Sequence, residues 1–258
     1  MAIKDFGPIE SDYAFFMKHA TEAESDVAAY VNELKDFAKG RASIRLLDFG
    51  CGTGEFTQRF ASTLNWPPHV LRMTLVEPVP HQLSEAAQRL AAFSTHPIES
   101  LQSLPLNRKR CFDLVLSNHV LYYVEDLDST LGQMCESLGP WGKLLLAIAG
   151  WENPLIQLWK TGFEMLGRSI PYSVSEDVES VLQRRGTPYL KSKAFYQLRF
   201  IDTEENRLKI IRFLFGEHLQ ELSPRRLLKE LDPFARREHI EISTESDHYT
   251  IDSPQVLE

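Results

Sequence analysis

An apolar run that stops at three closely spaced glycines constrains this chain more than any other feature. Residues 44–49 (IRLLDF) have the character of a buried strand, and Gly50, Gly52 and Gly54 follow directly. Glycines at this spacing let the backbone turn sharply and approach a ligand closely. Apolar residues at helical spacing resume after Glu55, so this segment predicts a strand, a tight turn and a helix.

The alternation of apolar runs with amphipathic segments continues to about residue 150. Further apolar runs lie at residues 71–76, 112–116 and 143–148. The amphipathic segments lie at residues 55–64, 82–93 and 127–138. Strands that are apolar throughout are typical of parallel sheets that helices cover on both faces. Residues 40–150 therefore predict a doubly wound α/β core, a class of sheet that binds ligands at the carboxyl ends of its strands.

The two flanks of this core have different patterns. Helical spacing over residues 12–39 predicts a long helix that ends at Gly40. Beyond residue 150 the predicted order of helices and strands is looser. The predicted elements are a helix at 155–166, a helix capped by Ser173 and Glu176 and ended by Gly186, a strand at 194–201, a helix at 208–222, a helix opened by Ser223 and Pro224, and strands at 239–242 and 248–251.

The composition is that of an ordinary globular protein, with 43% hydrophobic and 25% charged residues among 258. The chain has 28 Lys and Arg residues and 36 Asp and Glu residues, which gives a net charge of −8. Nucleic acids and anionic membranes require clustered positive charge, so neither is predicted as a partner. The basic run at residues 107–110 is interpreted as a solvated connection. Three widely spaced cysteines and the lack of an apolar span of about 20 residues predict a cytoplasmic protein.

The glycine turn departs from the two common phosphate-binding loops. Glu55 stands where the fingerprint G-x-G-x-x-G requires glycine, and the G-K-[ST] of a P-loop is absent. No Lys or Arg occurs between Leu46 and Gln58. A carboxylate in the first helical turn also competes with a pyrophosphate for the helix N-terminus. The turn therefore predicts a nucleoside ligand without phosphates, one that can carry positive charge, beside Asp48 and Glu55.

An acidic residue, Glu77, ends the second predicted strand. At that place in a doubly wound sheet, a carboxylate accepts hydrogen bonds from ribose hydroxyls. The alternative interpretation is a solvated glutamate at the end of a strand. Together with the strand, the glycines and the helix, Glu77 favours the nucleoside interpretation.

These features resemble the class I S-adenosylmethionine-dependent methyltransferases over about residues 40–150. The matching segments include FDLV at 112–115 with Asn118, and the GPWG turn at 139–142. The resemblance implies S-adenosylmethionine as the cofactor. It also implies a Rossmann-like, seven-stranded, mostly parallel sheet with helices on both faces and a small helical and β cap.

The same resemblance assigns cofactor contacts to residues of this chain. Gly50, Gly52 and Gly54, with Asp48 beside them, would hold the methionyl part of the cofactor. Glu77 would bind the ribose. The other implied contacts are Ser100 beside the adenine and Asn118 in the pocket.

Shorter segments are similar to histamine N-methyltransferase. They are residues 16–22 (FMKHATE), Glu77-Pro78 with Gln82, residues 120–126 (VLYYVED) and the region of Trp151 and Trp159. This resemblance implies that Glu22 contacts an amine or imidazole substrate, that Tyr13 walls the same pocket and that Gln82 binds the cofactor. His119 stands where that family has a substrate-contacting glutamine, so the acceptor need not be histamine.

The residues themselves are compatible with amine chemistry. An amine attacks a methyl donor only when it is neutral, so Glu22 could attract its cation or orient its N–H group, and a neutral His119 could accept its proton. Both are predicted catalytic and substrate-binding residues, with Tyr13, Tyr122 and Trp159 as further substrate contacts. The alternatives are a solvated Glu22, a core histidine at 119, and plain packing roles for the aromatic residues.

We therefore predict one domain with three parts: a helical lid at 1–39, a cofactor-binding core at 40–150, and a substrate cap with closing strands at 151–258. The predicted activity is methyl transfer to a small-molecule amine or imidazole nitrogen. The alternatives are O-methylation of a carboxylate or phenol, and a non-catalytic cofactor-binding module. No histidine, cysteine and acid spacing along the chain indicates a metal site. The oligomeric state is left open.

Overall fold

The computed structural model describes residues 7–105 and 108–253. Residue 107 of the basic run lies outside this range, whereas Arg108 and Lys109 form ion pairs with Glu99 and Glu136. We find no helix in the described part of the chain with the length and apolar character that a membrane crossing requires.

Nine α-helices and eight strands are present among the described residues. The helices are α1 (Glu10–His19), α2 (Glu22–Glu33), α3 (Glu55–Leu64), α4 (Pro80–Leu90), α5 (Leu127–Ser137), α6 (Pro154–Met165), α7 (Ser175–Arg184), α8 (Glu204–Phe215) and α9 (Pro224–Lys229). The strands are β1 (Ile44–Phe49), β2 (Leu71–Val76), β3 (Glu99–Leu101), β4 (Phe112–Asn118), β5 (Leu138–Ile148), β6 (Leu190–Ile201), β7 (Ala235–Arg236) and β8 (His239–Asp252).

The described strands form one sheet in the order β3-β2-β1-β4-β5-β8-β6, with β7 paired to β8 beside this path. The first five strands in that order are parallel, and β8 pairs antiparallel with both β5 and β6. The predicted doubly wound, mostly parallel α/β fold is therefore confirmed. The two-residue β7 adds an eighth strand to the seven that were predicted.

Apolar side chains on alternate positions of the strands supply two separate cores. Leu46 of β1 packs with the layer formed by α2, α3 and α4, whereas the adjacent Leu47 packs with the layer formed by α5 to α9. Neighbouring residues of a strand point to opposite faces, so a strand covered on both faces must be apolar throughout. This is the physical reason for the continuous apolar runs in the sequence.

Several predicted boundaries were wrong, at the flanks and within the core. The long helix predicted over 12–39 is two helices, because Ala20 forms a β-bridge with Leu198 of β6 and interrupts it. The strands predicted at 239–242 and 248–251 are one strand, and the short β3 was missed. The residues predicted as a turn at 139–142 lie inside β5, where the ladder with β4 shifts register and Trp141 has a φ of +62°.

Two further predictions concern the helices beyond the core. The backbone N–H of Val174, at the N-terminus of α7, donates to the Asp177 carboxylate, so Ser173 and Glu176 do not form the predicted cap. The long helix predicted over 208–222 ends as α8 at Phe215, before Gly216 with a φ of +52°, and continues as a 3-10 turn. The division into lid, core and cap stays a prediction.

Candidate active site

The carboxyl ends of the parallel strands open into a cavity of about 660 Å³. Loops after β1, β2 and β4 form its floor, and residues of α1, α2, α6 and α8 form its walls. Pockets for small molecules have volumes of about 300–1,000 Å³, so a cavity of this size suits a small-molecule ligand. The position agrees with the prediction that ligands bind at the carboxyl edge of the sheet.

The glycine turn lies in this floor with all three glycines in the left-handed region. Their φ angles are +74° at Gly50, +53° at Gly52 and +79° at Gly54. A Cβ atom at Gly50 would lie 2.4 Å from the Val120 side chain, so only glycine lets the loops after β1 and β4 approach each other. A Cβ at Gly52 would meet nothing within 4 Å, which leaves open space beside the backbone for a ligand. Gly54 does not line the cavity and is the N-cap residue that precedes α3.

Glu77 joins the glycine turn to the end of β2. Its two carboxylate oxygens accept hydrogen bonds from the backbone N–H groups of Gly52, at 3.1 Å, and Val79, at 3.0 Å. Burial raises the pKa of Glu77 even though these two N–H groups favour its charged form. Each oxygen retains a lone pair. The carboxylate also lines the cavity, so it can accept hydrogen bonds from ligand hydroxyls.

The remaining predicted cofactor residues fall into two groups. Gln82 and Asn118 line the cavity, and Asn118 accepts a hydrogen bond from the Tyr30 hydroxyl at 3.0 Å. Asp48 and Ser100 do not line it. Asp48 lies beneath the turn and accepts a hydrogen bond from Thr57, while Ser100 is exposed on the edge strand β3, where it pairs with Leu75. Near Ser100, the cavity is lined instead by Gln102, Ser103 and Leu104.

All five predicted substrate residues line the same cavity: Tyr13, Glu22, His119, Tyr122 and Trp159. Trp159 is nearly buried, and its indole N–H donates to the Leu214 carbonyl at 2.7 Å. Tyr122 lies behind His119, with its hydroxyl 2.6 Å from the Ala149 backbone N–H that donates to it. The structure therefore brings the predicted cofactor and substrate sides together in one space.

His119 lies between two carboxylates. Its Nε2 is 3.0 Å from Asp26 Oδ2 and 3.7 Å from Glu22 Oε1, and its Nδ1 is 3.0 Å from the Tyr122 hydroxyl. Burial alone would lower the pKa of His119, but Glu22 and Asp26 raise it to about 9. His119 is thus an imidazolium at neutral pH, which argues against the predicted neutral imidazole as a proton acceptor.

The two carboxylates beside His119 differ in their own protonation. Burial raises the pKa of Glu22 by more than His119 lowers it. Burial also acts to raise the pKa of Asp26, but hydrogen bonds and charge from His119 and His248 lower it to about 2. Asp26 is therefore firmly ionised, whereas Glu22 is the carboxylate of the two whose pKa is raised, so it holds a proton more readily than Asp26 does.

Sequence reasoning missed several residues of this site, namely Asp26, Tyr196, Phe213 and His248. Asp26 could have been found, because it is one helical turn from Glu22 and shares its face of α2. The others carry no local signal, since strand pairing and the packing of α8 bring Tyr196 and Phe213 to the cavity and His248 to Asp26 behind it.

One group of potential metal ligands is present in the described residues. The ligand-type atoms of Glu22, Asp26 and His119 lie within 4.8 Å of one another, although nothing in their sequence spacing indicates it. Hydrogen bonds already occupy both oxygens of Asp26 and both ring nitrogens of His119. We therefore describe the group as an ion-pair cluster and assign it no metal.

Comparison with known proteins places this geometry in a family. A family model described as a methyltransferase domain matches residues 19–191. The chain is 26% identical to carnosine N-methyltransferase 2 of Gallus gallus over 67% of its own length and 60% of that protein's. It is 23% identical to histamine N-methyltransferase B of Xenopus laevis over 82% of its own length and 80% of that protein's.

A solved structure shows the same fold. It is a phosphoethanolamine N-methyltransferase 2 of Haemonchus contortus bound to phosphomonomethylethanolamine and S-adenosylhomocysteine. The match has a TM-score of 0.51 at 17% identity and covers 88% of this chain and 53% of that one. With more than half of its residues matched by the family model, the chain belongs to the methyltransferase-domain family, and its predicted place among the class I S-adenosylmethionine-dependent methyltransferases is confirmed.

Proposed function

We propose that this protein transfers a methyl group from S-adenosylmethionine to the nitrogen of a small amine or imidazole compound. The observation that carries the proposal is that Glu22 and the glycine turn line one cavity. S-adenosylmethionine supplies an electrophilic methyl group on a sulfonium centre. The turn and Glu77 would hold it, as open space at Gly52 and the cavity-facing carboxylate allow.

The charge of the acceptor side favours a cationic substrate. Within the ion-pair cluster, Glu22 is the carboxylate that lines the cavity, whereas Asp26 lies behind it, paired with His119 and His248. Glu22 would bind the acceptor's cationic form and orient an N–H group once the nitrogen is neutral. The relatives named for histamine and carnosine act on compounds that contain an imidazole. A small-molecule carboxylate would meet repulsion here, which makes O-methylation of an acid the weaker alternative.

Two measurements test the proposal. Calorimetry should show binding of S-adenosylhomocysteine and not of NAD. A screen of imidazoles, amines, phenols and carboxylic acids, scored by S-adenosylhomocysteine formed, should find turnover among the nitrogen compounds. Turnover of phenols or acids alone would establish the O-methylation alternative. Cofactor binding without turnover of any class would favour the non-catalytic module.

Replacement of Glu22 tests its assigned role. Glu22→Gln should lower kcat/KM for the amine about 10- to 100-fold, because a hydrogen bond to a charged group is lost, and leave cofactor binding unchanged. Glu24→Gln is the matched control, since Glu24 is exposed on the same helix and pairs with Arg59. Equal kinetics for both variants would remove Glu22 from the substrate site.

A further inference from the structure

Asp26 is completely buried on α2, yet its carboxylate joins Asn118 and His119 at the end of β4 to His248 of β8. We propose that Asp26 is a positioning residue of the acceptor site, which holds the His119 imidazole against Glu22 and Tyr122, and that His248 holds Asp26 in turn. The effect of Asp26 on catalysis rests on the proposed function, whereas its role in fixing the His119 ring does not.

Hydrogen bonds occupy both oxygens of Asp26. His248 Nε2 lies 2.8 Å from Oδ1, and His119 Nε2 lies 3.0 Å from Oδ2. Asn118 Nδ2 donates to the same Oδ2 at 3.3 Å, and Tyr30 fixes that amide by donating to its oxygen. A buried carboxylate with each oxygen engaged cannot rotate without breaking bonds in an environment where no water replaces them.

The consequence for His119 is a fixed ring. Nε2 is hydrogen-bonded to Asp26 and Nδ1 to the Tyr122 hydroxyl, so neither ring nitrogen is free to bind the methyl acceptor. The backbone supports the same orientation, because His119 has a φ of +56° and its N–H donates to the Ala147 carbonyl at 2.9 Å. His119 can thus contribute charge and shape to the cavity. Glu22 is then the group that would accept the proton of the acceptor nitrogen.

Charged and polar side chains face His119 and its two carboxylates from every element packed on them. From α2 these are Glu22, Asp26 and Tyr30; from β8, Ser246 and His248; from β6, Tyr196; and from the turn after β4, Tyr122. The two carboxylates are the acidic partners that stabilise the protonated ring. Asp26 is the closer of them and also shares a hydrogen bond with Nε2, so its removal should lower the pKa of His119.

Titration of ¹³C,¹⁵N-histidine-labelled protein by NMR tests the structural part without any substrate. The His119 signal, assigned by its loss in His119→Gln, should titrate near pH 9 in the wild type. In Asp26→Asn its midpoint should fall by about 1 to 3 pH units, as expected on loss of an adjacent opposite charge. His96→Gln, at a half-buried histidine in the loop before the edge strand β3, should leave it unchanged. An unchanged midpoint in folded Asp26→Asn would overturn the proposal.

Two variants of His248 keep the test decisive even if Asp26→Asn does not fold. His248→Gln retains a donor for Asp26, whereas His248→Phe retains only an aromatic ring. We expect the His119 Nε2–H resonance to persist in the Gln variant and to vanish in the Phe variant. A packing role alone predicts the reverse ranking, because Phe replaces the buried ring better, and that ranking would overturn the proposal.

Steady-state kinetics test whether the hydrogen bonds among His248, Asp26 and His119 affect turnover. Asp26→Asn and His248→Phe should lower kcat about 10- to 100-fold, the usual cost of a misplaced active-site group, with cofactor affinity unchanged. Normal kcat together with an altered His119 titration would refute the catalytic part. If the wild type methylates no acceptor, the proposed function fails by itself, and the NMR result still decides whether Asp26 positions His119.

Discussion

Burial determines the chemistry of the acidic residue beneath the glycine turn. Asp48 is 3% exposed, and its one hydrogen-bond donor in the described structure is the Thr57 hydroxyl. Burial, against the effect of that hydrogen bond, raises the pKa of Asp48 to about 7. The residue is therefore partly protonated at neutral pH, and it supports the turn from below.

This protonation predicts how stability depends on pH. The folded state holds the Asp48 proton up to about pH 7 and the unfolded state only to about 3.8, so the wild type loses stability as pH rises through that interval. Asp48→Asn can still accept the Thr57 hydrogen bond and removes this loss. The free energy of unfolding of Asp48→Asn, relative to that of the wild type, should grow by ~3 kcal/mol between pH 5 and pH 8, given about 1.4 kcal/mol for each of the two pH units below the folded-state pKa.

Urea unfolding without ligand at the two pH values measures this difference. Asp36→Asn is the control, because Asp36 is exposed and should show no such growth. A constant difference between Asp48→Asn and the wild type would mean that Asp48 is ionised in the folded state throughout the range.

At the scale of elements, α1 closes the acceptor side of the cavity by packing on α8. Phe16 stacks on Phe213 with ring centroids 4.7 Å apart, and Arg212 Nε donates to the Asp12 carboxylate at 3.0 and 3.1 Å. Asp12 is buried, so this ion pair satisfies a carboxylate that water does not reach. The contact joins residues about 200 positions apart, which no local pattern reveals.

Loss of this ion pair should release α1. Arg212→Gln leaves the buried Asp12 without its charged partner and should lower the free energy of unfolding by about 1–3 kcal/mol. Amide hydrogen exchange should accelerate over residues 10–19 before it does so in the sheet. Arg199→Gln is the matched control, because Arg199 pairs with Glu241 on an exposed face and such pairs contribute about 0–1 kcal/mol. Equal effects of the two variants would contradict a role of the ion pair in holding α1.

The whole molecule depends on its last strand. β8 lies between β5 and β6, where residues 143–148 pair with 247–252 and residues 190–201 pair with 239–250. Its side chains serve both layers, since Tyr249 packs in the core beside α7 and His248 faces Asp26. The last of the described strands thus completes both the sheet and the acceptor site.

Removal of β8 should therefore abolish cooperative folding. A chain ending at Arg236 exposes the apolar edges of β5 and β6, so we expect no cooperative urea transition and no S-adenosylhomocysteine binding. A chain ending at Ser253 retains β8 and should behave like the full-length protein in both measurements. A two-state transition in the shorter chain would show that β1 to β5 fold without their antiparallel neighbours.

Local sequence by itself determined the strand, glycine turn and helix of residues 44–64, the acid at the end of β2 and the parallel core around them. These features follow from periodicity and backbone conformation, which act over a few residues. The same reasoning placed a single helix over 12–39 and two strands at the end of the chain, because it has no access to the contact of Ala20 with β6 or to the pairing of β8.

Only the tertiary structure decided the charge of His119 and the identity of its partners. From sequence alone, His119 is a neutral imidazole beside Glu22, and Asp26 and His248 have no role. Pairing of β8 brings His248 to Asp26, 222 residues away in the chain. Burial then makes each hydrogen bond and each charge–charge interaction in that group stronger than it would be in water. Protonation depends on these surroundings, so it is a property of the folded chain that residue type and spacing do not determine.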